Sequence, residues 1–235
     1  MVGRPVIDLG TAHVRVGRWR GQERIAHVVP MTDRPLTTSA VVELTDKLGA
    51  DDYHSAVTTA LGPSEARPFY RSGYTVRRRL ALLERPIERR SRPRDRRLRR
   101  ARRHERDALL AIDARSFPEE WRFDHQSLDD AVRATPMARF RTAHDGTVAG
   151  YAITGIAGTT SFLQRLAVDP DHQRRGIANA LVDDAVWWAA RRGAVTMLVN
   201  TAEDNDAALT FYEHLGFQRR EDDLVVLQRA LGGHD

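Results

Sequence analysis

Leu166-Ala-Val-Asp-Pro-Asp-His-Gln-Arg-Arg-Gly-Ile-Ala178 is the stretch on which the fold turns. Ser161 to Asp169 reads as a strand, ended by Pro170. A polar loop follows, and Gly176 opens a helical run to Arg192 with Ile177, Leu181, Ala185 and Trp188 on one face. The start of a helix leaves backbone N–H groups unpaired and carries a partial positive charge. Such a turn suits a pyrophosphate, and a glycine there allows close approach of the ligand. Arg174 and Arg175 add charge beside it. Alone the signal is weak, because a plain tight turn has the same appearance.

Reading outward strengthens it. Gly193 stands where a helix-terminating glycine belongs, and Val195–Asn200 reads as a strand. Asn205–Leu215 reads as a helix ended by Gly216, and Leu224–Leu227 as a final strand. Asn205, Leu209 and Tyr212 are spaced four and three apart, so they share one helix face. An amide and a phenol on one face, close in sequence to a phosphate-binding turn, suit positioning and proton donation. The alternative for Tyr212 is a half-buried packing residue with its hydroxyl in water. Upstream, Leu98–Ala101 is a short strand and Glu105–Arg115 a helix through Ala108, Leu109 and Ile112. Ser127 is the expected N-cap of a helix over Leu128–Ala134 that stops before Pro136. Ala138–Ala143 and Val148–Ile156 form a hairpin across His144-Asp145-Gly146. The order β-α-α-β-β-β-α-β-α-β predicts a mixed α/β layer.

Gln173-Arg-Arg-Gly-Ile-Ala178 resembles the acyl-CoA signature of the GNAT N-acetyltransferases, Gln/Arg-x-x-Gly-x-Gly/Ala. Asn205 to Phe217 resembles that family's following Asn…Tyr…Leu-Gly-Phe segment, within members similar to ribosomal-protein alanine N-acetyltransferase. The resemblance covers about Arg96 to Leu231. It implies the GNAT fold: a mixed, mostly antiparallel sheet flanked by helices, with a splayed central strand pair. It also implies acetyl-CoA as co-substrate. Backbone groups at Leu166, Ala167 and Val168 would hold the pantetheine arm. Gln173, Arg174, Arg175, Gly176, Ile177, Ala178 and Asn179 would hold the pyrophosphate. Asn205 would contact the cofactor arm, and Tyr212 would give a proton to the departing thiolate. A phenol of pKa about 10 is protonated at neutral pH and can donate.

The sequence also departs from the pattern. Position 178 is alanine and not the commoner second glycine, which the signature permits. No carboxylate lies in Ser161–Val168, where several members carry a general base. Members similar to the ribosomal-protein enzyme have a glutamate five residues before the asparagine, where this chain has Asn200. The candidates for the base are therefore Glu203, Asp204, His172 and a relayed water, with Glu203 taken as the catalytic choice. Trp121, Arg122, Phe123 and Asp124 are the expected acceptor contacts, because the connection between the first two helices usually forms that wall in the family. Packing under a loop is their plainer role.

Residues 1–90 read as a degenerate GNAT-like half domain without catalysis, and 91–235 as the acetyltransferase domain. In the first part Thr38–Leu48 and Pro63–Arg71 are helices, with strands at Val57–Leu61 and Leu80–Leu83. Phe69-Tyr-Arg-Ser-Gly-Tyr74 parallels Phe211-Tyr-Glu-His-Leu-Gly-Phe217. Aligning the glycines without a gap sets Phe69 against Tyr212. Aligning Phe-Tyr with Phe-Tyr keeps Tyr70 at the price of one deletion. Met31–Ala50 lacks a Gln-x-x-Gly-x-Gly turn, so this half is expected to bind no CoA.

The chain has 235 residues, 41% of them hydrophobic, which is enough for a core without disulfides. No cysteine is present, which excludes a disulfide framework, thiolate metal sites and a cysteine nucleophile. The histidines show no His-x-x-x-His spacing and no Gly-x-Ser-x-Gly elbow occurs, so no metal is expected. No apolar run reaches the ~18 residues of a membrane span, and Met1–Arg24 has no apolar signal-peptide core. The expectation is a cytoplasmic protein. The net charge of +5 is concentrated, with 12 arginines against Glu88, Asp95 and Glu105 between Arg85 and Arg106. Arg85–Asp95, with Pro86 and Pro93, reads as a linker.

Three functions compete. The first is an acetyl-CoA-dependent N-acetyltransferase acting on a primary amine of a peptide N-terminus, a lysine or a small molecule. The second is a non-catalytic acyl-CoA-binding or interaction module, which loss of Tyr212 or Gly176 would have favoured. The third is a nucleic-acid binder using Arg96, Arg97, Arg99 and Arg100, but the tract lacks the aromatic residues that stack on bases. The partner is accordingly an amine-bearing acceptor, neither membrane nor nucleic acid, with a homodimer left open.

Overall fold

The computed structural model describes residues 5–10, 12–32, 34–88 and 95–232. They fall into two compact units: Met1–Leu82 with Asn200–Leu209 and Arg220–Asp235, and Leu83–Val199 with Thr210–Arg219.

The first unit begins with β1 (Val6–Asp8), β2 (His13–Trp19) and β3 (Gln22–Pro30). There follow α1 (Thr38–Ala50), β4 (Ser55–Thr58), α2 (Pro63–Arg71) and β5 (Thr75–Pro86). The second unit contributes β6 (Leu98–Arg100), α3 (Arg106–Ser116), α4 (His125–Arg133), β7 (Met137–Asp145), β8 (Thr147–Ala157) and β9 (Thr160–Val168). Then come α5 (Ile177–Arg191), β10 (Thr196–Ala202), α6 (Asp206–His214), β11 (Gln218–Arg219) and β12 (Leu224–Ala230).

In the first unit the strand order is β1-β2-β3-β4-β12-β5. Among the described residues only β3 and β4 are parallel there, with Ile25 facing Ser55 and Val28 facing Thr58. Val14, Val16, Val28, Leu44, Leu48, Phe69 and Leu227 fill its core. In the second unit the order is β10-β9-β8-β7-β6. Among the described residues only β9 and β10 are parallel there. Leu109, Ile112, Leu128, Tyr151 and Ile153 form its core under α3 and α4.

Two readings need correction. The helix expected to cap at Ser127 begins earlier, because Asp124 is the N-cap and its carboxylate accepts from the Ser127 N–H at 2.7 Å. Asp is as good a cap as Ser, and it stands three residues ahead of the donor it serves. The stretch read as a linker starts inside β5, where Arg85 is buried and its guanidinium lies 6.0 Å from the Phe217 ring. Residues 89–94 of that stretch lie outside the described residues. Strands β1 to β3 have no counterpart in the sequence reading.

The two helix–turn segments compared in the sequence match in detail. Gly73 and Gly216 both have positive φ, 80° and 82°. The Tyr74 N–H donates to Phe69 O at 3.1 Å and the Phe217 N–H to Tyr212 O at 3.0 Å. Phe69–Tyr74 and Tyr212–Phe217 are both edge-to-face, with centroids 5.1 and 5.5 Å apart. The ungapped alignment is therefore the structural one. Phe69 stands where Tyr212 does, and Tyr70 is exposed.

Candidate active site

β9 and β10 pair from Thr196–Thr160 to Leu198–Phe162, and there the pairing stops, although β9 runs on to Val168. Beyond that point Leu166, Ala167 and Val168 pair only with β8, opposite Ala152, Tyr151 and Gly150. The break coincides with a bulge, where Thr154 faces Leu163 and Ile153 faces Arg165, leaving Gln164 as the extra residue. A bulge bends its strand and increases the local twist, which turns the end of β9 away from a neighbour. The free edge at Leu166 and Ala167 offers backbone donors and acceptors to an extended arm. At Val168 the carbonyl is already held by Ser116 Oγ and Gln173 Nε2, each at 3.3 Å.

The loop after β9 is tightly held. Asp169 caps a short 3-10 turn at Pro170–His172, accepting from the Asp171 N–H at 2.9 Å. Arg115 reaches across from α3 to both Asp169 oxygens and to Asp171, each at 2.9 Å. Arg174 then adopts φ 59° and Gly176 φ 75°. For arginine this left-handed conformation is unfavourable, and such residues persist where the surroundings over-determine them. Gly176 is the N-cap of α5 and has no side chain to close the helix end. Among the described residues, the N–H groups of Arg174, Arg175 and Gly176 donate to no backbone or side-chain group. Arg174, Arg175, Gly176 and Asn179 are exposed, Ala178 is half-buried and Ile177 anchors the first turn in the core. A Cβ built on Gly176 would meet no heavy atom within 4 Å, so the space above the turn is open. Unpaired N–H groups, an open helix start and free space fit a diphosphate.

Tyr212 lies on α6 and is buried. Burial raises its phenol pKa above the ordinary value, while the nearby Arg165 charge opposes that rise. Its hydroxyl has no hydrogen-bond partner among the described residues. The group is a protonated phenol at neutral pH with its donor unused.

Arg165 and its partners were not found from the sequence. The guanidinium makes two 2.7 Å hydrogen bonds to the fully buried Asp113 carboxylate and a 2.9 Å bond to Trp121 O. It stacks between Phe117 and Phe123, 3.3 and 4.0 Å from their centroids. Asp113 also accepts from the Tyr151 hydroxyl at 2.5 Å and the Phe123 N–H at 2.7 Å. Each lone pair of the buried carboxylate that the geometry can reach is used. The signal in the sequence was an arginine inside the apolar run Phe162-Leu-Gln-Arg-Leu-Ala-Val168 and an aspartate beside Ile112.

The remaining candidates separate. In the first unit, Asn205 caps α6, its Oδ1 accepting from the Ala208 N–H at 3.1 Å. Glu203 is exposed, and Asp204 is paired with Arg78 at 2.5 Å. In the second unit, His172 sits 3.8 Å from Asp169. Trp121, Phe123 and Asp124 are engaged with Arg165, Asp113 and the α4 cap, and Arg122 donates to Phe117 O at 3.2 Å. No group of three or more metal-ligating side chains and no helix long and apolar enough to cross a membrane occurs among the described residues.

The model of the acetyltransferase (GNAT) family matches residues 105–217. An acetyltransferase of Yersinia pestis is 32% identical over 111 residues, 47% of this chain and 77% of that protein. The ribosomal-protein bS18-alanine N-acetyltransferase of Escherichia coli is 36% identical over 78 residues, 33% of this chain. The chain spans about half the length of that relative, 53%. A solved tandem GNAT protein from the clavulanic acid biosynthesis pathway aligns with a TM-score of 0.67 at 11% identity, over 95% of this chain and 80% of its own. That last likeness is one of fold.

Proposed function

This chain belongs to the GNAT acetyltransferase family, and on that premise we propose that it transfers an acetyl group from acetyl-CoA to a primary amine by direct attack in a ternary complex. The observation that carries the proposal is that the second unit holds both an open helix start at Gly176 with unpaired N–H groups and a buried, protonated phenol, Tyr212. The co-substrate supplies an activated thioester. The free backbone edge at Leu166 and Ala167, with the N–H side of Val168, whose carbonyl is already held, holds the co-substrate's extended arm and can polarise the thioester carbonyl. Arg174, Arg175, Gly176, Ile177, Ala178 and Asn179 bind the diphosphate through backbone N–H groups and side-chain charge, while Gln173, whose N–H donates to Pro170 O at 3.4 Å and whose Nε2 donates to Val168 O, braces the loop. Asn205 fixes the start of α6, the helix that carries Tyr212. Tyr212 gives its proton to the departing thiolate, and such help is worth about 10²–10⁴-fold. Glu203, exposed and outside any ion pair among the described residues, takes the proton that the attacking amine releases. The relatives named for a ribosomal-protein alanine favour a peptide N-terminus as acceptor over a lysine or a small amine.

The first unit has no such site in this reading. Its α1 is closed by Thr37, whose hydroxyl accepts from the Ala40 N–H at 3.2 Å, and Phe69 replaces the acid. One cofactor is therefore bound per chain.

The test is release of free thiol from acetyl-CoA over a panel of peptide N-termini, lysine peptides and small amines. Turnover with at least one amine, lost in Tyr212→Phe, supports the proposal. CoA binding without turnover on any amine would leave a non-catalytic acyl-CoA-binding module.

A further inference from the structure

The arginine-rich tract carries one residue whose placement bears on the proposed cofactor loop. Arg97 precedes β6, and its Nη1 donates to the Arg175 carbonyl at 2.9 Å. Its own fork is held by Asp95, through Nε at 3.0 and 3.2 Å and Nη2 at 2.7 Å, and the Arg97 N–H donates to Asp95 Oδ1 at 2.9 Å. The Arg97 carbonyl accepts from the His144 N–H at 2.9 Å, which ties the residue to β7. From the end of β7, Asp145 takes Arg175 Nη1 at 3.0 Å. The loop is thus gripped at Arg175 by both its carbonyl and its side chain.

The peptide group gives this grip a direction. In a trans peptide the carbonyl and the following N–H lie in one plane and point in opposite directions. Turning the Arg175 carbonyl toward Arg97 turns the Gly176 N–H away from it. That N–H is one of the unpaired donors at the start of α5. The peptide that carries it follows Arg174, whose left-handed φ of 59° is unfavourable for a non-glycine residue, and leads into Gly176 at φ 75°. A bidentate, anchored guanidinium is suited to hold such a carbonyl, because its fork is fixed before the bond forms.

We infer that Arg97, seated on Asp95, is a positioning residue for the anion-binding loop: it holds the Arg175 carbonyl outward and so sets the Gly176 N–H for the diphosphate of the co-substrate. The inference rests on the reading that this loop binds CoA. It separates Arg97 from the rest of the tract, since Arg96, Arg99 and Arg100 are exposed and make no such bond.

The experiment compares acetyl-CoA with acetyl-pantetheine, which lacks the diphosphate, on wild type and on Arg97→Ala, Arg97→Lys, Asp95→Asn and Arg99→Ala. Arg97→Ala is expected to raise the Kd for acetyl-CoA about tenfold and leave the KM for acetyl-pantetheine unchanged. Asp95→Asn shifts in the same direction, Arg97→Lys recovers part of the loss, and Arg99→Ala changes neither ligand. Equal weakening of both ligands by Arg97→Ala would show a merely structural residue and overturn the inference. So would an equal effect of Arg99→Ala, which a diffuse positive field produces, or an unchanged Kd in Arg97→Ala beside a wild type that binds CoA. Failure of wild type to bind CoA at all would overturn the underlying reading along with it.

Discussion

Asp113→Asn is the most informative perturbation of the second unit. The side chain is fully buried, and it receives two hydrogen bonds from Arg165 at 2.7 Å, one from Tyr151 at 2.5 Å and one from the Phe123 N–H at 2.7 Å. The amide keeps the shape and one acceptor oxygen, which continues to serve Phe123. Its NH₂ now faces donors, and the Arg165 charge stays buried without its counter-ion. Removing one partner of a buried, hydrogen-bonded ion pair costs roughly 3–5 kcal/mol. The aromatic sandwich of Phe117 and Phe123 returns little of this, because cation–π contacts are worth about 0.5–2 kcal/mol and are present in both proteins. Adding Arg165→Met removes the stranded charge, so the double variant should be at least ~1 kcal/mol more stable than Asp113→Asn alone. Urea unfolding followed by circular dichroism and tryptophan fluorescence together measures both. A single variant within about 1 kcal/mol of wild type, or a double variant less stable than the single, would refute the claim that an ion pair organises this region.

Other outcomes follow from the same structure. Tyr212→Phe should lower kcat by about 10²–10⁴-fold while leaving the Kd for acetyl-CoA within about twofold, as single-turnover and binding measurements would show. Burial raises the Tyr74, Tyr151 and Tyr212 phenols, so the folded state holds protons that the unfolded chain releases. The phenols' contribution should therefore be constant below pH about 10, and stability should fall above it, by up to about 1.4 kcal/mol per pH unit for each phenol, with a shallower fall in Tyr212→Phe. Asp124→Ala should cost about 1 kcal/mol through loss of the α4 cap and leave the KM for the amine unchanged, which chemical denaturation and steady-state kinetics distinguish.

The features legible in the sequence were those decided locally. Pro63–Arg71 forms over the expected residues because proline opens it, Glu65 returns to the Gly62 N–H at 2.8 Å, and Gly73 ends it with φ 80°. The turn at Gly176 and the helix carrying Tyr212 were visible for the same reason: glycine and an N-cap act within a few residues. The hairpin of β2 and β3 was missed although Val14, Val16 and Gly21 signal it. Its turn uses Arg20 at φ 48°, where asparagine or aspartate is the usual sign. The Arg165–Asp113 pair spans 52 positions and the Arg97–Arg175 bond 78, and no local pattern encodes such partners. Asp124 was assigned to the acceptor on family grounds and is occupied as a helix cap, because a carboxylate three residues before an unpaired N–H folds onto it.

The proposed function requires a single acetyl-CoA site per chain, at the turn around Gly176. Calorimetric titration of acetyl-CoA into wild type and into Gly176→Glu tests it most directly, since the substitution sets a carboxylate over the open turn at a φ of 75°. One site is expected in wild type and none in the variant. Two sites, binding that survives the substitution, or no binding by wild type would contradict it.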